Sequence, residues 1–392
     1  IEILQNARRA DATEVNITNK DGVVTVHDNG RGIDDFQKLL DLGSSGWDDA
    51  IELSEDPAGV GLFSLSPREV KIRSCRKMVT IENQGWTGVP IEIVADPDPM
   101  NGTVIQFRDD NWNYDLVSAH AVFAGLMVTV DGKECPRESF VSTGAAHHPE
   151  LGCRIEVRTL ENLSEWHSKA SRPRGYCDNV FVNFHGQVIS FDFHPITERK
   201  LRYLVDLTGE RTGVRLMLPA RTRLIENETF VALKAAIELE AFRFIQIRGE
   251  HELPYKEYLR AMELGVTLPE AKPVYEIGLL TGDGSPDPVE IEAPKDFPLG
   301  KCYRIDQERE QGDDMDAASV HLLAALGTLE EPFIPVDIRS SYDGYSWAKL
   351  PTVDEVTVTV GKIIHQAWLW SEKIACVDSI SIAARTSDGR TF

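Results

Sequence analysis

Two side chains four residues apart near the start of the chain could do hydrolytic chemistry together. Glu2 and Asn6 lie in the stretch EILQNA, and residues four apart in a helix share one face. A carboxylate can position or deprotonate a water molecule, and an amide oxygen can ligate Mg²⁺. Taken alone, the pair is equally compatible with an ordinary surface helix.

A second stretch, HDNGRGIDD, places an acid and two glycines directly after an apolar run at 23–26. Asp28 ends the predicted strand, where its carboxylate can accept hydrogen bonds from an amino group. Gly30 and Gly32 allow a ligand to approach the backbone closely, and Ile33 completes the motif. An Asn-Gly turn without any ligand is the alternative explanation.

Two further glycine motifs occur in DPAGVGLFS and NGTVIQF. DPAGVGLFS precedes a predicted helix, and exposed N–H groups at a helix start bind phosphate. The candidate ligand-binding residues of this motif are Gly59, Val60, Gly61 and Leu62. In NGTVIQF, Thr103 opens a strand, and its hydroxyl can help Asp28 hold a base, directly or through water. Each motif alone is also ordinary turn chemistry.

The order and spacing of these four motifs resemble the four boxes of the GHKL ATPases, the superfamily of gyrase B, the ninety-kilodalton heat-shock chaperone, histidine kinases and MutL. The resemblance covers roughly the first 110 residues. It implies that Asp28 binds the exocyclic amino group of adenine, that Asn6 holds Mg²⁺ between the phosphates, and that Glu2 aligns the hydrolytic water. By the same resemblance the backbone of 59–61 cradles the phosphates, and 43–58 form a lid over bound ATP.

The branch of the superfamily is indicated by single positions. Histidine kinases usually carry Asn where Glu2 stands, and GVGLFS is most similar to the chaperone's third box. Those hydrolysing branches carry a transducer domain that donates Arg or Lys to the γ-phosphate. LPARTRLIENETFVALKAAI resembles that region, with Arg223 as the first candidate and Arg221 as the second. Two solvated loop arginines are the alternative.

The elements that must position these residues indicate an α+β protein of three domains. Residues 1–145 are expected to form a two-layer α/β sandwich of the Bergerat type, beginning with a helix over 1–10 and a hairpin around Asp21-Gly22. Residues 146–250 are expected to form a smaller, transducer-like α/β domain that contains a long amphipathic helix near 227–247. Residues 251–392 are expected to form a mixed domain of unknown type.

Composition limits the classes of function. The net charge of −22 over 392 residues argues against a general nucleic-acid-coating surface. The six cysteines are scattered, which favours a reducing cytoplasm and disfavours zinc. The adjacent His147 and His148 are interpreted as ordinary loop residues. The chain begins without Met in a helix-like stretch, so a preceding segment is expected, and no stretch is apolar enough to span a membrane.

The leading hypothesis is therefore a cytoplasmic, homodimeric ATPase that uses ATP and Mg²⁺ to close on a protein or nucleic-acid partner. A nucleotide-gated binding module with little or no hydrolysis is the alternative, and a protein kinase of the histidine-kinase type is a weaker one. Glu2 favours hydrolysis, since a pure sensor does not need it.

Overall fold

The computed structural model of the chain describes residues 1–40, 61–171, 178–207, 213–217, 221–280, 286–292, 299–304, 334–336, 338–369 and 372–392. Its contacts divide the chain into two compact units, Ile1–Phe244 and Ile245–Phe392. The predicted division into three domains stays a prediction.

A six-stranded sheet covered by helices forms the first part of the first unit. Its elements are α1 (Glu2–Arg9), β1 (Glu14–Lys20), β2 (Val23–Asp28), β3 (Val70–Ile81), β4 (Ile93–Arg108), α2 (Tyr114–Ala121), β5 (Met127–Val130) and β6 (Lys133–Glu134). The strands lie in the order β3-β4-β2-β1-β5-β6. All neighbours are antiparallel except β1 and β5, which are parallel.

The core of this sheet follows from simple alternation. Val15 and Ile17 of β1 are buried with Val24 and Val26 of β2, because every second residue of a strand faces the same side. Apolar residues of α1 and α2 join the same core cluster: Leu4, Ala7, Val117 and Ala121. Burying one such Val, Leu or Ile side chain contributes roughly 1.5–3 kcal/mol, so this packing holds both helices on the sheet.

The hairpin predicted at Asp21-Gly22 is the turn between β1 and β2. Both turn residues have positive φ, 50° at Asp21 and 74° at Gly22. Two consecutive positive values are what the turn most compatible with strand twist requires. This hairpin fixes the register that places Asp28 opposite Val15.

A five-stranded sheet forms the second part of the first unit. Its elements are β7 (Ala146–His148), β8 (Cys153–Thr159), α3 (Glu165–Ser171), β9 (Val180–Phe184), β10 (Gln187–Phe191) and β11 (Leu201–Leu207), and α4 (Glu228–Arg248) begins in this unit. The strand order is β10-β9-β11-β8-β7, with β9 and β11 parallel. The helix predicted near 227–247 is α4. Its buried residues recur at helical spacing: Phe230, Leu233, Ile237, Ala241 and Phe242.

The second unit is built from strand pairs around an aromatic core. Its elements are α5 (Tyr255–Glu263), β12 (Val274–Leu280), β13 (Pro286–Glu292), β14 (Cys302–Arg304), β15 (Ile334–Val336), β16 (Val353–Val360), β17 (Ile363–Leu369), β18 (Glu372–Val377) and β19 (Ile380–Thr386). The pairs are β12 with β13, β14 with β15, β16 with β19, and β17 with β18. Buried Tyr345 donates its hydroxyl to the carbonyl oxygen of Leu253 at 2.9 Å, which satisfies a polar group inside this core.

The described part of the chain is thus a mixed α/β structure with few helices and with both parallel and antiparallel strand pairs. The helix expected from GVGLFS is a four-residue 3₁₀ helix, Leu62–Leu65, because Pro67 follows and proline disfavours helix at the residue before it. The lid at 43–58 lies outside the described residues. Where the structure describes the chain, it contains no helix long and apolar enough to cross a membrane.

Candidate functional site

Asp28 and Thr103 lie opposite each other on neighbouring strands. The antiparallel register of β2 and β4 pairs them directly, and both are buried. Asp28 Oδ1 accepts a hydrogen bond from the N–H of Gly30 at 2.9 Å. Burial raises the pKa of the Asp28 carboxyl, and backbone hydrogen bonds from Gly30 and Thr103 act in the opposite direction. A buried carboxyl beside a buried hydroxyl can bind a ligand through hydrogen bonds.

Gly102 makes this pairing possible. Its φ is +75°, and a Cβ at this position would lie 1.9 Å from the carbonyl oxygen of Asp28. Any other residue would therefore push β4 away from β2. The sequence motif NGT drew attention to Thr103, while the steric requirement falls on the glycine before it.

The two glycines after Asp28 are required by the packing of the protein itself. A Cβ at Gly30 would lie 2.6 Å from the carbonyl oxygen of Ala10, directly after α1. At Gly32, where φ is +83°, a Cβ would lie 2.7 Å from both Ser74 Oγ and Cys75 Sγ. The loop is thereby held between the end of α1 and β3.

Ser74 is a site residue that the sequence did not reveal. It is fully buried in β3. The Ser74 Oγ atom accepts a hydrogen bond from the N–H of Ile33 at 2.8 Å and lies 3.3 Å from Thr103 Oγ1. The signal that could have found it is strand alternation, since Val70, Ile72 and Ser74 occupy successive inward positions. A serine at the third inward position indicates a polar task.

Glu2 of α1 forms an ion pair with Arg221, which lies 219 residues further along the chain. Arg221 Nη1 donates to Glu2 Oε1 at 3.2 Å; the arginine side chain is 3% exposed and the glutamate side chain 27%. Glu2 is therefore half-buried, and its side chain is more accessible to solvent than that of Arg221.

Several contacts hold Arg221 in place. Its backbone has a positive φ of 49°, which is uncommon for a residue with a side chain. Its carbonyl oxygen accepts a hydrogen bond from Gln187 Nε2 at 2.6 Å, and its guanidinium lies 5.7 Å from the centre of the Phe184 ring. Gln5 of α1 donates to the Phe184 carbonyl oxygen at 3.1 Å. The five-stranded sheet thus presents Arg221 to the helix that carries Glu2.

Arg223 is placed differently. It is exposed, and its carbonyl oxygen accepts a hydrogen bond from the N–H of Met217 at 2.8 Å. Of the two arginines singled out in the sequence, the structure brings the second candidate, Arg221, to Glu2.

Asn6 lies one helical turn after Glu2 and is half-buried. Its Oδ1 atom accepts a hydrogen bond from the Arg9 guanidinium at 2.9 Å. An amide oxygen has two lone pairs, so one remains for a second partner. A cation bound there would meet the positive charge of Arg9, so this oxygen fits Mg²⁺ only if Arg9 moves away.

The glycine motif before the 3₁₀ helix also meets Glu2. A Cβ at Gly61 would lie 3.0 Å from Glu2 Cβ and 3.1 Å from Glu2 Oε2. Leu62 is partly buried against the core of the six-stranded sheet. Gly59 and Val60 lie outside the described residues, so their predicted role at phosphate stays a prediction.

His148, predicted to be an ordinary loop residue, is a buried link in the five-stranded part. Its Nε2 atom lies 3.0 Å from Glu240 Oε1 of α4, and its Nδ1 atom lies 3.3 Å from Glu150 Oε1. This contact ties β7 to α4. Over the described ranges, no group of three or more His, Cys, Asp and Glu side chains could hold a metal ion.

The four sequence motifs are connected through direct neighbours. Asp28 meets Gly102 and Thr103, and the loop after Asp28 meets Ala10 at the end of α1. Gly61 meets Glu2 at the beginning of α1. Residues from four separate segments are therefore linked by pairwise contacts within the first unit. No protein-family model matches this chain, and no curated protein sequence matches it.

Proposed function

We propose that the first unit binds ATP with Mg²⁺ and hydrolyses it slowly, and that its two-layer part is a Bergerat-type sandwich. The observation that carries this proposal is that the four motifs, which are far apart in sequence, are linked through α1 and through the pairing of Asp28 with Thr103. If the motifs were unrelated turns and helix caps, we would not expect them to be linked in space.

Each group has a task that suits its surroundings. Asp28 and Thr103 hold the adenine, because a buried acceptor recognises an exocyclic amino group and disfavours a carbonyl at the same place. Glu2 aligns the attacking water, and Arg221 reaches the γ-phosphate as an arginine finger does in phosphoryl transfer. Gly61 lies beside Glu2 and offers its backbone to the phosphates.

Asn6 is the residue that we propose as a ligand of Mg²⁺. The divalent ion neutralises phosphate charge when it is bound. Asn6 Oδ1 would hold the ion, and the Arg9 guanidinium, which donates to that oxygen at 2.9 Å, would have to release it, since the guanidinium and the ion repel each other. The phosphates of the nucleotide are a suitable new partner for Arg9, because guanidinium groups bind phosphate well.

Hydrolysis is coupled to movement in this proposal. Arg221 comes from the five-stranded part, and Glu2 lies on the helix that packs on the six-stranded sheet. Movement of Arg221 from Glu2 to a γ-phosphate therefore couples nucleotide binding to the contact between these two parts of the first unit. A homodimer that closes on a protein or nucleic-acid partner in the cytoplasm is the wider function that we propose.

A nucleotide-gated binding module is the second candidate, and one observation favours it. Glu2 Oε1 accepts a hydrogen bond from Arg221, so that lone pair is not available to position a water molecule. If the pair persists with ATP bound, the chain binds ATP without turning it over.

The test compares ATP turnover and ATP binding in Glu2→Gln, with Glu14→Gln as the control for loss of an acidic residue from the same unit. We expect Glu2→Gln to retain ATP binding and to lose turnover, while Glu14→Gln keeps both. Wild-type binding without turnover would support the module, and equal turnover in wild type and Glu2→Gln would contradict the role of Glu2.

A further inference from the structure

Ser74 contacts the loop after Asp28 and the strand that carries Thr103 through one hydroxyl. Its Oγ atom accepts from the N–H of Ile33 at 2.8 Å and lies 2.8 Å from the carbonyl oxygen of Gly102. The same oxygen lies 3.3 Å from Thr103 Oγ1. Cys75 Sγ, a weaker hydrogen-bond acceptor, lies 4.0 Å from the Ser74 Oγ atom.

The proton inventory of this hydroxyl fixes the direction of each hydrogen bond. A serine hydroxyl has one proton and two lone pairs. Ile33 N–H can only donate, so it uses one lone pair. The Gly102 carbonyl can only accept, and at 2.8 Å it is a better acceptor for the proton than Cys75 Sγ at 4.0 Å. The second lone pair of Ser74 remains for Thr103.

Thr103 must therefore be the donor in its contact with Ser74. Its own single proton is used there, which leaves only lone pairs on Thr103 Oγ1 for any ligand. Asp28, directly opposite on β2, is an acceptor in its ionised form. Residues opposite each other in antiparallel strands present their side chains on the same face. The Asp28 and Thr103 pair is consequently a face of acceptors.

We propose that Ser74 is a specificity-determining positioning residue, which fixes the proton of Thr103 so that the nucleotide site accepts a 6-amino purine and rejects a 6-oxo purine. This inference rests on the proposed ATP binding and deepens it. Without Ser74, the Thr103 hydroxyl loses its acceptor, rotates, and can donate to a carbonyl oxygen on the base.

The experiment measures the affinities of the intact chain for ATP and for ITP, which carries a carbonyl in place of the 6-amino group, by isothermal titration calorimetry. We expect Ser74→Ala to lower the ratio of ATP to ITP affinity at least about fivefold, as befits one hydrogen bond gained by the wrong base. Ser118→Ala is the matched control. Ser118 is also buried in this unit, and its Oγ atom contacts Cys135 Sγ at 3.5 Å.

A double-mutant cycle separates positioning from general damage. In a Thr103→Val background the hydroxyl that Ser74 directs is absent, so adding Ser74→Ala should leave the ratio unchanged. An unchanged ratio in Ser74→Ala alone would overturn the proposal, as would an equal fall in the Thr103→Val background. A comparable fall in Ser118→Ala would also overturn it.

Failure of wild type to bind nucleotide and failure of Ser74→Ala to fold have different consequences. If wild type binds neither nucleotide, the proposed function fails, and this inference fails with it. If Ser74→Ala does not fold, Thr103→Val decides alone: we expect it to weaken ATP binding more than ITP binding, and equal losses would contradict the acceptor role of Thr103.

Discussion

The ion pair of Glu2 with Arg221 predicts a measurable coupling energy in the absence of nucleotide. The perturbations are Glu2→Gln and Arg221→Met, alone and together. Gln keeps the shape of Glu, and Met fills much of the space of the arginine stem while retaining a Cβ at the positive φ of 49°. Both variants thus remove charge, and the loss of the guanidinium from beside Phe184 occurs in the single and the double variant alike, so the cycle cancels it.

The magnitude follows from the surroundings of the two groups. Exposed ion pairs contribute about 0–1 kcal/mol, whereas loss of one partner from a fully buried pair costs about 3–5 kcal/mol. Here the arginine side chain is 3% exposed and the glutamate side chain 27%, so water can partly solvate Glu2 when Arg221 is lost. We expect a coupling of about 1–2 kcal/mol, between those limits.

Urea unfolding of the four proteins measures this coupling, provided that the dependence on denaturant is the same for all. Arg223→Met is the matched control, because Arg223 is an exposed arginine two positions away and should give no coupling with Glu2→Gln. A coupling below about 0.5 kcal/mol for Arg221, or an equal one for Arg223, would refute the assignment of Arg221 as the partner of Glu2.

Three further predictions follow from other contacts. Gly102→Ala should lower the melting temperature and abolish ATP binding, since its Cβ would lie 1.9 Å from the Asp28 carbonyl oxygen; unchanged stability would contradict this steric account. Because burial raises the pKa of Asp28 in the folded chain, stability from this group falls as pH rises from about 4 through the raised pKa. The free energy of unfolding of Asp28→Asn minus that of wild type should therefore increase as pH rises across that range. Urea unfolding at several pH values measures this difference, and a difference that does not change with pH would refute the prediction. Burial raises the pKa of Cys153 to about 12, so iodoacetamide at pH 8 should alkylate half-buried Cys75 well before Cys153, as peptide mass spectrometry can measure; the reverse order would contradict it.

The sequence was sufficient to predict those elements whose conformation is determined by neighbouring residues. Asp21-Gly22 predicted the hairpin because the two residues tolerate the positive φ that the turn needs. The long helix near 227–247 was predicted because its apolar residues recur at helical spacing over five turns. In both cases the information lies within a few neighbouring residues.

The choice between the two arginines could not be made in the same way. Arg221 and Arg223 share a loop, a type and a charge, and only the fold of the five-stranded part determines which of them reaches Glu2. The contact joins residues 219 positions apart. Sequence spacing carries no information about such a contact unless both segments are already placed.

Ser74 illustrates a different limit. Its inward position in β3 follows from strand alternation counted from Val70. Its partners, however, are backbone groups of Ile33 and Gly102, which have no sequence signature. Polar groups that satisfy backbone atoms become visible only when the loop and both strands are in place.

Equilibrium binding of ATP to the intact chain is the measurement that decides whether Asp28 holds the base of the nucleotide. The measurement compares wild type, Asp28→Asn and the control Asp115→Asn, which alters an exposed acid of α2 in the same unit. We expect wild type and Asp115→Asn to bind ATP and Asp28→Asn not to bind it. ATP binding of equal affinity by Asp28→Asn, or no binding by wild type, would contradict it.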